Sequence, residues 1–371
     1  MNTTYSAAIA TKTRRHILLV VNPSASGVTA RNRVVIQNAL ASEHELEVVE
    51  THRRGHATRF AQGAAARGVD VVIALGGDGT VNEVANGLVR SQTALGVLPG
   101  GSTNVFARQL GFENEPGAAA LQLLAGLRNN TVRRIGLGNV NGRYFCFHVG
   151  MGFDAAVVAR VERFGQLKRW LGHPLFAYAA VSTWMRGYDR KRPHFSAEVA
   201  GSPRTVAVER PRDPRGAVRL AARAISSRLR PDANVPVVTI DGYFAVALNV
   251  DPYTYLGPRA ISLAPQASID APLSLVTLKT LALLPTMRTV LMALHDGNRV
   301  RTMPGVDVRN GLHGFTVRGR RPFPWQVDGD HLGDTDLLEF RWEPEVMALV
   351  LPGPADAGRE GREGREGRST R

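Results

Sequence analysis

Val69-Asp70-Val71-Val72-Ile73-Ala74-Leu75-Gly76-Gly77-Asp78-Gly79-Thr80 passes from an apolar run into a glycine-rich turn, and its reading decides the fold. The run is short and rich in β-branched residues, which reads as a buried strand. Beyond the turn, Val81, Val84, Ala85 and Leu88 recur at three- and four-residue spacing, the pattern of an amphipathic helix. A glycine-dense passage from strand to helix leaves backbone N–H groups unshielded. Phosphate oxygens are favoured there by the helix N-terminus. A tight turn alone accounts for two glycines, but not for three with a carboxylate and a threonine inside five positions. The segment is no Walker loop, because no Gly-Lys-Ser/Thr end follows, and the Gly-x-Gly-x-x-Gly spacing of a dinucleotide fingerprint is absent. A phosphorylated ligand held by backbone and hydroxyl donors is the expectation.

The flanks repeat the same alternation. Ile17–Val21 reads as a strand, Ala30–Ser42 as a helix, Leu46–Thr51 as a strand and Ala57–Arg67 as a helix leading to the phosphate strand. This order predicts a parallel sheet covered by helices, with ligands at the carboxyl ends of the strands. From Arg143 onward the pattern changes to short strands with close turns: Tyr144–Val149, Tyr243–Val250, Ala260–Ala264, Leu273–Leu278, Gly314–Gly319 and Leu337–Trp342. Helices are expected at Pro174–Arg186 and Leu284–His295. The fold class is therefore α/β: an N-terminal parallel-sheet nucleotide domain followed by an antiparallel β-sandwich domain.

The glycine turn, continued as Gly76-Gly77-Asp78-Gly79-Thr80-Val81-Asn82-Glu83-Val84, resembles the nucleotide loop of the diacylglycerol/sphingosine kinase superfamily. A second segment supports that resemblance: Leu95-Gly96-Val97-Leu98-Pro99-Gly100-Gly101-Ser102-Thr103-Asn104-Val105-Phe106-Ala107-Arg108. It is similar to the family's strand, Pro-x-Gly-Thr-x-Asn turn and Phe-Ala-Arg helix, with Ser102 where threonine is usual. The pentapeptide is shared with NAD kinases and phosphofructokinases; the second segment is not. His16–Gly27 resembles the first strand and Asn-Pro-x-Ser-Gly turn, and Thr51–Phe60 the second strand's end with its Gly-His-Ala turn. Gly150-Met151-Gly152-Phe153-Asp154-Ala155 resembles the opening of the second domain. The resemblance implies that Asn22, Pro23, Ser24, Thr51, Gly76, Gly77, Asp78, Gly79, Thr80, Asn82, Glu83, Ser102 and Asn104 line the ATP site. It also implies that Asp154 faces the acceptor's head group.

Gln326-Val327-Asp328-Gly329-Asp330 matches the family's Val-Asp-Gly-Glu, with aspartate in place of glutamate. By resemblance, Asp330 takes the proton of the lipid hydroxyl as its oxygen attacks the γ-phosphorus. Such a base needs hydrogen-bond reach, about 2.6–3.2 Å. Asp78 competes for the catalytic role, as base or metal-side ligand. Asp328-Gly329 alone also reads as a type I′ hairpin turn. Mg²⁺ is expected because it bridges and neutralises the β- and γ-phosphates during transfer. Where bacterial members carry Asp-Asp-Gly-Leu-Leu, this chain has Ser268-Ile269-Asp270-Ala271-Pro272-Leu273. Asp270 is thus the metal candidate, without the segment's glycine, and the Mg²⁺ that matters then travels with ATP.

Composition agrees. The 371 residues suit two domains, and the hydrophobic share of 44% is ordinary for a globular protein. Cys146, the single cysteine, forms no internal disulfide, which suits a reducing, cytoplasmic setting and a buried thiol. No membrane span or signal peptide is read: Leu273–Leu294 is broken by Lys279, Pro285 and Arg288. The formal charge of +14 is concentrated at 186–230, with 12 Lys/Arg against four Asp/Glu. There Val218, Ala221, Ala222, Ile225 and Leu229 share a helical face with arginines off it. That reads either as an interfacial helix for an acidic lipid surface or as a solvated insertion. No nucleic-acid motif accompanies the charge.

The expected organisation is a disordered leader at 1–14, an ATP-binding α/β domain at 15–135 and a lipid-substrate sandwich at 136–342 carrying the basic insertion. A return segment at 343–353 packs on the first domain, and a Gly-Arg-Glu tail at 354–371 is disordered. The function read is an ATP-dependent lipid kinase, peripherally associated with the membrane. A kinase for a soluble acceptor such as NAD and a non-catalytic lipid- or nucleotide-binding regulator stay open, as does a homodimer.

Overall fold

The computed structural model describes residues 14–164, 175, 178–185, 188–200 and 237–353. The expected leader (apart from Arg14), the Gly-Arg-Glu tail, the candidate helix at 218–229 and parts of the helix at 174–186 lie outside them.

Four parallel strands build the first sheet. They are β1 (His16–Val21), β2 (Glu45–Glu50), β3 (Val71–Gly76) and β4 (Ala94–Pro99), in the order β4-β3-β1-β2. Both faces of β3 and β4 are buried, as a continuous apolar run requires when helices cover both sides, whereas the edge strand β2 is half exposed. The covering helices are α1 (Ala30–Glu43), α2 (His56–Ala66), α3 (Asp78–Leu88), the short α4 (Val105–Gln109) and α5 (Pro116–Arg128). Their ends follow local chemistry. Thr29 Oγ1 accepts from Asn32 N–H at the start of α1, and Glu115 caps α5 ahead of Pro116.

The antiparallel part comprises β5 (Val132–Val140), β6 (Arg143–Phe145), β7 (His148–Gly152), β8 (Phe195–Ala200), β9 (Val237–Gly242) and β10 (Phe244–Leu248). It continues with the β11–β12 hairpin (Thr254–Leu256, Arg259–Ile261), β13 (Leu273–Leu278), β14 (Val306–Leu312), β15 (Gly314–Val327) and β16 (Asp330–Val350). Helix α6 (Phe153–Glu162) follows β7, and α7 (Leu283–His295) follows β13. A second core fills this part, with Val149, Met151, Phe195, Val317, Phe323 and Phe340 at its centre.

Four strands end or run differently from the sequence expectation; Gly314–Gly319 is only the start of the 14-residue β15. Tyr144–Val149 is split into β6 and β7, because the N–H groups of Cys146 and Phe147 turn to the Asp328 carboxylate instead of a ladder. Ala260–Ala264 stops at Ile261, because Leu263 and Ala264 N–H donate to Asp251. Leu337–Trp342 is the middle of the 21-residue β16. That strand pairs antiparallel with β15 at Phe340 and parallel with β4 at Ala348 and Leu349, so one hydrogen-bonded sheet runs through both parts. The residue pairs 135/136 and 342/343, expected as boundaries, fall inside β5 and β16, which pair along most of β5 and the C-terminal part of β16. Pairing breaks only around Glu345, whose φ of 49° bends the strand beside Pro344.

Candidate active site

Three turns meet at the carboxyl ends of β1, β3 and β4. Asn22 N–H donates to Leu75 O, Gly27 N–H to Gly100 O and Gly100 N–H to Gly76 O, which locks the turns to one another. They are too close for side chains. A Cβ on Gly100 would lie 2.9 Å from Gly76 Cα, and one on Gly101 would lie 2.8 Å from Gly77 Cα. The glycines are thus needed for backbone-on-backbone contact. Such a cradle of main-chain N–H at the start of α3 fits the phosphates of a nucleotide.

The residues expected at the nucleotide divide into two groups. Pro23, Ser24 and Ser102 lie exposed at the turn tips, and Thr80 Oγ1 accepts from Asn22 Nδ2 at 3.1 Å. The others brace the frame. Asp78 accepts from Val105 and Phe106 N–H at 3.0 and 3.1 Å, pinning the start of α4 to the start of α3. Burial raises its pKa against those two hydrogen bonds. Asn104, in the left-handed region at φ 50°, closes its own turn on Gly101 N and O. Thr51 Oγ1 donates back to Val21 O at 3.4 Å. Glu83 caps α2, accepting from Gly55 N–H at 2.8 Å and Ala57 N–H at 3.1 Å, where Gly55 brings no side chain of its own.

Across from the cradle stands the β15–β16 turn. Asp328 and Gly329 both have positive φ, 48° and 84°, as a two-residue type I′ turn demands. The Asp328 carboxylate is 3% exposed and accepts four hydrogen bonds: from Cys146, Phe147 and His148 N–H and from Asn82 Nδ2, all at 2.7–3.0 Å. Burial pushes it up to about 6 against those donors, so it is ionised at neutral pH. Asn82, expected at the nucleotide, instead ties α3 to this turn and to Tyr144 O.

Held in this way, Asp330 reaches the glycine loop. An added Cβ at Gly79 would lie 3.6 Å from Asp330 Oδ1. Two guanidiniums flank the carboxylate: Arg54 at 3.7 Å, from the turn before α2, and Arg143 at 3.5 Å, from β6. Arg54 also pairs with Glu162 at 3.5 Å, and Arg143 donates to Asn82 Oδ1 at 3.0 Å. A carboxylate beside an anion cradle, with two cations next to it, can accept a hydrogen bond from a hydroxyl while the cations neutralise charge on a transferring group.

Asp154 lies deeper than the sequence reading placed it. It is 4% exposed, accepts from Gln326 Nε2 at 2.8 Å and from the Tyr253 hydroxyl, and burial raises its pKa. Its partner Gln326 in turn accepts through Oε1 from Gly329 N–H at 2.8 Å in the β15–β16 hairpin. Gln326 Nε2 also meets His148 Nε2 at 2.7 Å, and burial holds that imidazole neutral, down at about 3. Asp270 is likewise elsewhere: it pairs with Arg133 at 3.1 Å on the surface and is 61% exposed. Among the described residues no group of three or more His, Cys, Asp or Glu is placed to hold a metal ion. Cys146 is buried, and burial raises its pKa well above that of a free thiol.

Sequence reading missed Arg54, Arg143, Asp328, Gln326, His148 and Tyr253 as members of this constellation. Arg54 lies inside the Thr51–Phe60 motif and Gln326 opens the hairpin motif, so the local signals were there. Their partners, more than 170 residues away in the case of Gln326, were not readable.

Residues 16–140 match the diacylglycerol kinase catalytic domain. The chain is 38% identical over 138 residues to a diacylglycerol kinase of Bacillus subtilis (strain 168), a stretch covering 36% of this chain and 45% of that one. It is also 38% identical over 158 residues to a Pseudomonas aeruginosa (strain PAO1) protein named "Probable lipid kinase YegS-like", covering 42% and 50%. The match thus spans half or less of these relatives. Two solved chains from Bacillus anthracis str. Sterne, both named for diacylglycerol kinase, superpose with TM-scores of 0.67 and 0.60 at 20% and 18% identity. They cover 93% of this chain each and 97% and 99% of their own, a likeness of fold. Residues 16–140 thus match the diacylglycerol kinase catalytic domain, and the chain as a whole shares its fold with the two solved chains.

Proposed function

We propose that this protein is an ATP-dependent lipid kinase, peripheral to a membrane, that transfers the γ-phosphoryl group to a lipid hydroxyl. The observation that carries this reading is the approach of Asp330 to Gly79, two positions 251 residues apart by number, with Arg54 and Arg143 on either side of the carboxylate. ATP, arriving with its Mg²⁺, supplies the phosphoryl group. Backbone N–H groups of Gly76–Thr80 and the exposed Ser24 and Ser102 hydroxyls hold its phosphates. Asp330 accepts the proton from the acceptor hydroxyl, and the two arginines take up charge on the transferring group. Asp78, Glu83, Asn104 and Asp328 position the frame. Positioning and charge neutralisation supply most of the rate in such a transfer.

The test is incubation with γ-labelled ATP, Mg²⁺ and a total lipid extract, followed by organic extraction. Label in the organic phase is the expected result. An unlabelled organic phase with label on an added soluble acceptor such as NAD overturns the lipid reading. ATP binding with no transfer to either overturns the catalytic one.

A further inference from the structure

Two helical segments of the antiparallel part carry their side chains inside out. In 178–185 the buried residues are small or polar, Ala179, Ser182 and Thr183, while Tyr178, Val181 and Met185 are 53–61% exposed. In α7 the buried positions are Thr289 and Ala293, while Leu283, Leu284, Met287, Val290 and Leu291 are 48–62% exposed. Normal amphipathic packing puts the large apolar residues inward. Here eight of them face out on segments linked by the Trp184 indole, which donates to Leu281 O at 2.9 Å. A cluster of that size marks an interaction surface.

Charge decides what covers it. Neither segment contains Asp or Glu, and Arg288 stands within the exposed face of α7. Arg190 lies over the Trp184 ring at 4.0 Å, and Lys191 and Arg192 follow it, both exposed. A second copy would bring these cations against themselves, whereas an acidic surface complements them. No helix among the described residues is long and apolar enough to cross a membrane, so the fit is to lie on one.

We infer that the outward face of α7 and residues 178–185, with Arg288 within it and the exposed Arg190, Lys191 and Arg192 close by in the chain, docks on a lipid bilayer bearing anionic head groups. This deepens the lipid-acceptor reading and rests on it. The packing gives the docked face a route to the site: Ala179 packs with Val161 of α6, and the last residue of that helix, Glu162, pairs with Arg54 beside Asp330.

The experiment is co-sedimentation of the full chain with vesicles of phosphatidylglycerol and phosphatidylcholine, and with phosphatidylcholine alone. The proteins compared are the wild type, Leu284→Ser/Leu291→Ser and Arg288→Glu, each with its thermal midpoint measured. Partitioning should fall about tenfold or more for the double variant on both vesicles. For Arg288→Glu it should fall on the anionic vesicles only. Phosphoryl transfer to an acceptor embedded in vesicles should fall in parallel, while transfer to a dispersed short-chain diacylglycerol should not change. Unchanged partitioning of folded variants overturns the inference, as does a wild-type dimer that the double variant dissociates without losing vesicle binding. Face-dependent vesicle binding without transfer to any lipid leaves the docking surface standing and removes the kinase reading instead.

Discussion

The turns after β1, β3 and β4 and the hairpin between β15 and β16 meet at Gly79 and Asp330, but they are made of different material. The first side is backbone: glycines pressed together until a Cβ on Gly100 or Gly101 would stand within 3 Å of a neighbouring main chain. The second side is side chain: Asp328, Gln326, Asp154, Tyr253 and His148 pass hydrogen bonds between elements distant in sequence. Backbone geometry is written in consecutive residues and changes little with its surroundings. A side-chain frame exists only after the chain has closed on itself, and each buried member depends on the others.

That contrast predicts where substitutions act. Asp328→Ala strands three backbone donors and one amide in a buried site. It should cost about 3–5 kcal/mol in urea unfolding and lower activity through a displaced hairpin. A cost below about 1 kcal/mol would show that the hairpin is held some other way.

His148 sharpens the same side by pH. Its folded pKa of about 3 lies below the unfolded value of about 6.5, so its contribution is full above 6.5 and is lost as pH falls toward 3. Between pH 7 and pH 5 this group should cost about 2 kcal/mol. Asp328 works in the opposite direction, because its raised pKa favours the folded state as pH falls through about 6. Comparing the pH slopes of wild type and His148→Gln isolates the imidazole; equal slopes would mean that it is not buried neutral.

On the backbone side, Gly101→Ala forces Gly77 away and should weaken nucleotide binding about tenfold with a folded chain, read by calorimetric titration. The smallest effect belongs to Arg54, which is 70% exposed: Arg54→Ala should slow transfer about fivefold and leave the thermal midpoint unmoved. A shifted midpoint would give that arginine a structural role in place of one at the reacting group.

The parallel sheet and its turns were legible because strand, glycine turn and helix follow each other within a dozen residues, as at Val69–Leu88. The hairpin turn was legible too, from Asp328-Gly329. What could not be read was that Asp328 interrupts a strand far away in sequence, splitting β6 from β7 by drawing Cys146 and Phe147, 182 and 181 residues distant, out of the ladder. The burial of Asp154 was hidden for the same reason, since its partners Gln326 and Tyr253 come from distant strands and loops. Asp78 and Glu83 show the converse. Their positions in the motif were evident, but their carboxylates serve helix starts rather than the solvent side of the turn.

On the proposed function the two sides join into one transfer site with Asp330 as the proton acceptor. The most direct measurement is single-turnover transfer from γ-labelled ATP to lipid by Asp330→Asn and Asp330→Glu, beside nucleotide affinity for each. Unchanged ATP binding is expected in both, with a loss of about 10²–10⁴ in rate for the amide and retained or higher turnover for glutamate. Near-wild-type transfer by Asp330→Asn would contradict that role for Asp330.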